Sequence, residues 1–217
     1  MQHFPSISKA EFHDGCQAFY DTIVSVLDGN SWLQVAYESD VLSIKKEYII
    51  KTPSTLNEKA TDIVQHGNED LIDDEDHEII CRHSSLPETD RILVEFSILW
   101  SPSYQVPVLW FTLNRVPSGI STGIETVYQH LVPETSRPAL NQVGVMGGIS
   151  IAHHPKSDLP AFFIHPCNTA EALYEICQQR SCRTALDYLV IWLGLVGPSF
   201  NLYIPSQLLL PAPEDEV

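Results

Sequence analysis

Basic residues are scarce in this sequence. Lys and Arg total 12 against 28 Asp and Glu, for a formal net charge of −16 with histidine neutral. Such a surface repels phosphate backbones and anionic lipid headgroups, so nucleic acid and membrane surfaces are poor partners and a basic protein surface is a good one. Long apolar runs are also missing. The longest, about Leu189 to Gly197, falls far short of the roughly 20 residues that cross a bilayer, so no stable membrane insertion is expected. The opening MQHFPSISKAEF has neither the basic stretch nor the apolar stretch of a signal peptide. Cysteine is sparse and odd in number: Cys16, Cys81, Cys167, Cys177 and Cys182. Without an export signal, that usage predicts reduced thiols in a cytoplasmic protein rather than a disulfide frame.

Several catalytic signatures are absent as well. Gly144, Gly147 and Gly148 fit neither phosphate-cradling pattern, and no Lys-Ser pair directly follows a glycine there. His153, His154, His165 and Cys167 crowd into fifteen residues, but no paired-cysteine or helical-histidine spacing accompanies them, so no metal and no cofactor are expected. A papain-like protease needs a cysteine opening a helix, which Cys167 could satisfy. Its flanking signature is missing, and no histidine follows that cysteine.

What remains is an ordinary composition in 217 residues, 44% hydrophobic and 9% aromatic, enough for one domain with a full core. Ser8 and Glu11 form a capping box that opens a helix. Phe12, Cys16, Phe19, Ile23 and Leu27 then recur at spacings of three and four, and Asp28-Gly29-Asn30 ends the stripe. Alternating segments at Trp32 to Glu38 and Ser43 to Thr52 read as strands. RILVEFSILW and VPVLWFTLNR, joined by Ser101 to Tyr104, read as a central hairpin. A short helix is expected over Gly123 to Val132, a loop over Pro133 to Gly148, and a strand over Leu159 to His165. Two closing helices follow. One begins at Asn168-Thr169-Ala170-Glu171, and the other carries Ala185, Leu189, Trp192, Leu193 and Val196 on one face before Gly197-Pro198 stops it. The order predicts an α+β fold: an N-terminal helix, an antiparallel sheet meander, and C-terminal helices packed on the sheet. One domain over 1–203 is expected, with a disordered tail over 204–217. Residues 54–88 form an acidic insertion. Between Glu58 and Glu78 it holds nine acidic residues against one lysine, too polar to pack. It is either a solvated loop or a docking arm for a basic groove.

Cys167 has the most suggestive position, in FFIHPCNTAEAL, where an apolar strand meets a helix. Asn168 or Thr169 would be the N-cap, placing the sulfur near the positive end of the helix dipole, which favours a thiolate. His165 would project on the same side. A reactive thiol and a buried structural one both fit this pattern; Cys16, Cys177 and Cys182 read as structural.

The string His165-Pro166-Cys167 resembles the active-site motif of the autophagy-related conjugating enzymes, a divergent branch of the ubiquitin-conjugating fold. YQVPVLWF is similar to that family's Tyr-x-x-Pro strand. HHPKSDLPAFFIHPC is similar to its approach to the cysteine, and DYLVIWLGLVGPSFNL to its closing helix. The resemblance implies an E2-like transferase with Cys167 as the thioester-forming nucleophile, His165 at the family's histidine position and Tyr104 near the site. It leaves the oxyanion donor open, with Asn168 as either that donor or a plain N-cap. One branch of the family transfers its modifier to a lipid amine. The other joins autophagy-related protein twelve to a lysine of autophagy-related protein five, after charging by the activating enzyme, autophagy-related protein seven. A first helix with Lys9 as its one basic residue and an acidic chain point to the second branch. A catalytically silent adaptor of the same fold is the remaining alternative.

Overall fold

The computed structural model describes residues 3–25, 32–50, 91–141, 148–178 and 182–209. Helix α1, Lys9–Val24, begins at the expected capping box: Glu11 N–H donates to the Ser8 hydroxyl, and the Glu11 carboxylate accepts from Ser8 N–H at 3.0 Å. Phe12, Cys16, Phe19 and Ile23 form its buried stripe. The helix stops at Val24 with Ser25 as its C-cap, short of the expected end at Asp28-Gly29-Asn30, which lies outside the described residues.

Six strands follow: β1 Gln34–Glu38, β2 Val41–Ile49, β3 Arg91–Ser101, β4 Val106–Arg115, β5 Ile149–His153 and β6 Pro160–Ile164. All neighbours are antiparallel and the sheet order is β1-β2-β3-β4-β6-β5. The meander holds from β1 to β4. The last hairpin then joins by its second strand, leaving β5 at the edge. The loop expected up to Gly148 and the single strand after it missed β5, because Ile149–His153 has one buried side chain and no clean alternation.

Between β4 and β5, helix α2, Ile124–Thr126, widens into a π-turn over Val127–Leu131, and α3, Arg137–Asn141, occupies part of the expected loop. After β6 come α4, Thr169–Cys177, and α5, Ala185–Val196, the latter with its own capping box from Thr184 and Asp187. A 3-10 turn, Gly197–Phe200, completes the predicted stop. The tail expected to be disordered from 204 is ordered at its start: Ser206–Leu209 form a 3-10 turn, and Ile204 and Leu208 pack against the core. Apolar side chains at these positions gain more by covering α5 than by staying in water. The acidic insertion at 54–88 lies outside the described residues.

Strand alternation puts Leu42, Ile44, Ile92, Val94, Phe96 and Ile98 on one face of the sheet, all buried. Helices α1 and α5 cover that face and touch each other closely. A Cβ at Gly15 of α1 would come within 2.7 Å of the Ala185 carbonyl oxygen of α5, so this crossing requires glycine. The chain after α5 is tied to β2, where the Tyr48 hydroxyl donates to the Phe200 carbonyl and the Lys46 ammonium to that of Asn201. Burial keeps the Tyr48 phenol protonated and pulls Lys46 below its ordinary range.

Candidate active site

Because β4 and β6 run antiparallel, the start of one and the end of the other share an end of the sheet. The β3–β4 turn carries Tyr104 to that end; β6 delivers His165, Pro166 and Cys167. Tyr104 and His165, 61 residues apart, meet there, with their rings edge to face at 5.5 Å between centroids and Tyr104 Oη 3.5 Å from His165 Nε2. The two sequence-selected residues are thus brought together.

After β6 the chain turns through a 3-10 turn, Pro166–Asn168, before α4 begins. His165 caps this turn: its Nδ1 accepts the Cys167 N–H at 3.3 Å. An accepting Nδ1 means that the neutral ring carries its proton on Nε2, so Nε2–H faces the Tyr104 oxygen and leaves the phenolic hydrogen available to another acceptor. Pro166 and Thr169 are buried on either side, while Cys167 is exposed. The turn is anchored at its neighbours and presents the thiol between them.

Cys167 therefore lies just ahead of α4, one residue before its N-cap. Asn168 occupies the N-cap position, but its side chain makes no capping hydrogen bond. The Thr169 N–H, at the first helical position, donates back to the Pro166 carbonyl.

The other described cysteines are different. Cys16 is fully buried in α1, and burial drives its thiol far up from its ordinary value. Cys182 is half-buried and pushed up to about 12, burial being the main cause, and the Cys177 thiol is also raised by burial. Among the described residues Cys167 is the one exposed thiol; Cys81 lies outside them.

The histidines considered as zinc ligands do not gather. His153 faces Asp158, while His154 is buried, its Nδ1 accepting the Lys156 and Ser157 N–H groups at 3.3 Å each. No group of three or more His, Cys, Asp or Glu is arranged to hold a metal among the described residues. No helix there is long and apolar enough to cross a membrane.

Sequence reasoning missed the wall of the site. On the sheet face opposite the helices, Leu99, Val108, Trp110 and Ala161 form a small second cluster, with Trp110 stacked on Phe163 at 4.6 Å. The continuous apolar run of β4 was its signal, because Val106 to Phe111 are buried on both faces of the strand.

The frame is an α+β sandwich whose sheet presents a thiol at a strand–helix junction. The chain belongs to the family described as autophagocytosis associated protein, active-site domain, whose pattern matches residues 11–207. It is 36% identical over 155 residues to the ubiquitin-like-conjugating enzyme ATG10 of Gibberella zeae, covering 70% of this chain and 63% of that protein. It is 26% identical over 221 residues to the protein of the same name from Homo sapiens, covering 100% of this chain and 98% of that one. The matches to the Dictyostelium discoideum and Arabidopsis thaliana proteins of that name span 54% and 55% of their lengths, so the chain covers only part of several of these relatives. A crystal structure of the autophagic E2 Atg10 aligns over 91% of this chain and 99% of its own, at 16% identity and a TM-score of 0.45.

Proposed function

We propose that this chain is a cytoplasmic ubiquitin-like-conjugating enzyme. It accepts autophagy-related protein twelve as a Cys167 thioester from the activating enzyme, autophagy-related protein seven, and passes it to a lysine of autophagy-related protein five. The observation that carries this reading is the presentation of Cys167, exposed on a turn whose backbone is tied to His165, which in turn contacts Tyr104. The names of the relatives support the coarser part of it, a ubiquitin-like-conjugating enzyme.

The chemistry is a two-step acyl transfer. The Cys167 thiolate attacks the modifier's C-terminal thioester carbonyl, and the activating enzyme's cysteine leaves as thiolate. The target's neutral lysine amine then attacks the new thioester, Cys167 leaves, and an isopeptide bond forms as the amine loses its proton. The first exchange is nearly balanced and the second is downhill, so the step needs no ATP of its own. Each attack passes through an oxyanion that requires a hydrogen-bond donor. Tyr104 is the stronger of the two candidates, since the His165 tautomer leaves its hydroxyl hydrogen unspent; Asn168, the residue after Cys167, is the other.

The test is reconstitution with the activating enzyme, the modifier, the target protein and ATP, resolved on non-reducing gels. The expected result is a thiol-sensitive adduct that disappears in Cys167→Ala and becomes a thiol-resistant oxyester in Cys167→Ser. A wild-type transfer rate in Cys167→Ser would refute the assignment. Tyr104→Phe should slow transfer by about a hundredfold, the usual cost of one oxyanion donor. A larger loss in Asn168→Ala would move that role to Asn168.

A further inference from the structure

Beside Tyr104 and His165 the structure holds a cavity of about 320 Å³ that the transfer chemistry does not itself require. Leu99, Val108, Trp110 and Phe163 make its apolar wall, and Tyr104 and His165 stand at its lining together with Pro166, the residue before Cys167. Its volume is at the lower end of ligand-sized pockets, and its lining is apolar with a few polar atoms. Four aromatic side chains, Trp100, Tyr104, Trp110 and Phe163, line it, and Trp110 and Phe163 brace each other by stacking at 4.6 Å. A peptide acyl group joined to Cys167 advances about 3.3–3.6 Å per extended residue. Side chains one or two residues before its terminal glycine therefore fall within reach of this cavity.

A second groove of about 250 Å³ continues away from the cysteine and shares Leu99, Trp100, Pro102 and Pro155 with the first. Lys9 and Lys156 line it together with Asp40, which holds Lys9 at 3.1 Å. Two lysines against one carboxylate make it locally positive in a chain of net charge −16. The sequence of surfaces running back from the thiol is thus apolar, then basic.

We propose that the cavity is a subsite for the tail of the acyl donor: it takes one large apolar side chain just before the terminal glycine, and the adjoining groove favours an acidic residue farther back. This rests on Cys167 being the acyl acceptor. The occupant is the donor's tail rather than the target because the cavity shares Pro166 with the nucleophile's own turn, and the basic groove adjoins the cavity through four shared residues, so one chain joined to Cys167 can meet both.

The test uses synthetic peptides ending in X-Gly, with X as Ala, Asp, Leu, Phe or Trp, in two forms. As free acids they are titrated into ¹⁵N-labelled protein, and binding is read at the indole N–H signals of Trp100 and Trp110. As thioesters of a small thiol, they are scored by mass spectrometry for acylation of Cys167. Peptides with X as Leu, Phe or Trp should bind and react at least about tenfold better than the Ala peptide, the range expected for filling an apolar pocket. Filling the cavity with Val108→Phe should erase the preference, and Trp110→Ala should weaken it. A glutamate placed three or four residues before the glycine should tighten binding, and Lys156→Glu should reverse that gain. Equal binding and equal acylation across the series would overturn the subsite while leaving Cys167 as the nucleophile. Selective binding without acylation of Cys167 by any thioester would overturn the transfer reading and leave the subsite standing. A preference that survives Val108→Phe in folded protein would also contradict the subsite.

Discussion

The two faces of the sheet are built for different ends. On the inner face, Ile44, Val94, Phe96, Leu109 and Phe111 are each at most 1% exposed beneath α1 and α5. Phe96, Phe111 and Phe200 there stack in tilted pairs 4.8–6.0 Å apart. On the outer face, Ser43, Lys45, Glu47, Glu95 and Ser97 are only partly buried, and apolar residues collect at one end alone, around Leu99, Val108 and Trp110. That end is where Tyr104, His165 and Cys167 arrive. The inner face supplies the burial that holds the strands in register; the outer face uses that rigidity to hold a thiol and a shaped apolar wall in the open. A substitution that removes function without touching stability belongs to the outer end. One that removes both belongs to the inner face.

The sharpest break is expected from Cys167→Ala, which should lower transfer by at least about a thousandfold, as for other nucleophile deletions. Its thermal midpoint should stay at the wild-type value, since the side chain is exposed. A folding defect in that variant would blur the contrast between the faces. On the inner face, Phe111→Ala should cost about 3–5 kcal/mol in denaturant unfolding, the usual range for a fully buried phenylalanine. Next comes Gly197→Ala, where a Cβ would meet the Leu202 carbonyl oxygen at 2.3 Å. Backbone must move to admit it, at about 1–3 kcal/mol by the same unfolding measurement. Ser8→Ala removes one half of the α1 capping box and should cost about 1 kcal/mol.

The smallest effect concerns pH. Burial lowers the pKa of His154 from its ordinary value, opposed by the Glu95 carboxylate. The unfolded chain, with an imidazole near the usual 6.5, then binds a proton that the folded one refuses. This residue's contribution to stability is therefore full above about pH 6.5 and declines as the pH falls toward its lowered folded value. His154→Gln should flatten that part of the stability profile. A slope identical to wild type would show that His154 is not its source.

Elements with one clear period were legible in the sequence. The α1 stripe, the β3–β4 hairpin and the closing helix α5 all lie where their spacing placed them, because each buries one face in the same core. The short pieces were not. Gly123 to Val132 was expected as a short helix, but a π-turn over Val127–Leu131 brings Val127 and Leu131 to the core. The edge strand β5 was missed because an edge needs only one buried face and one neighbour. At the site, the Cys167 turn could be read from its motif, and the His165–Tyr104 meeting from the resemblance. The apolar wall could not. It depends on β4 and β6 being neighbours, a fact set by strand order that no local pattern carries.

The measurement that tests the central claim most directly is to charge the protein with modifier through its activating enzyme, quench without reductant, digest, and map the thioester by mass spectrometry. The account predicts the modifier's terminal glycine on Cys167, with Cys16, Cys177 and Cys182 unmodified. A thioester on one of those three, or charging that persists at the wild-type rate in Cys167→Ala, would contradict it.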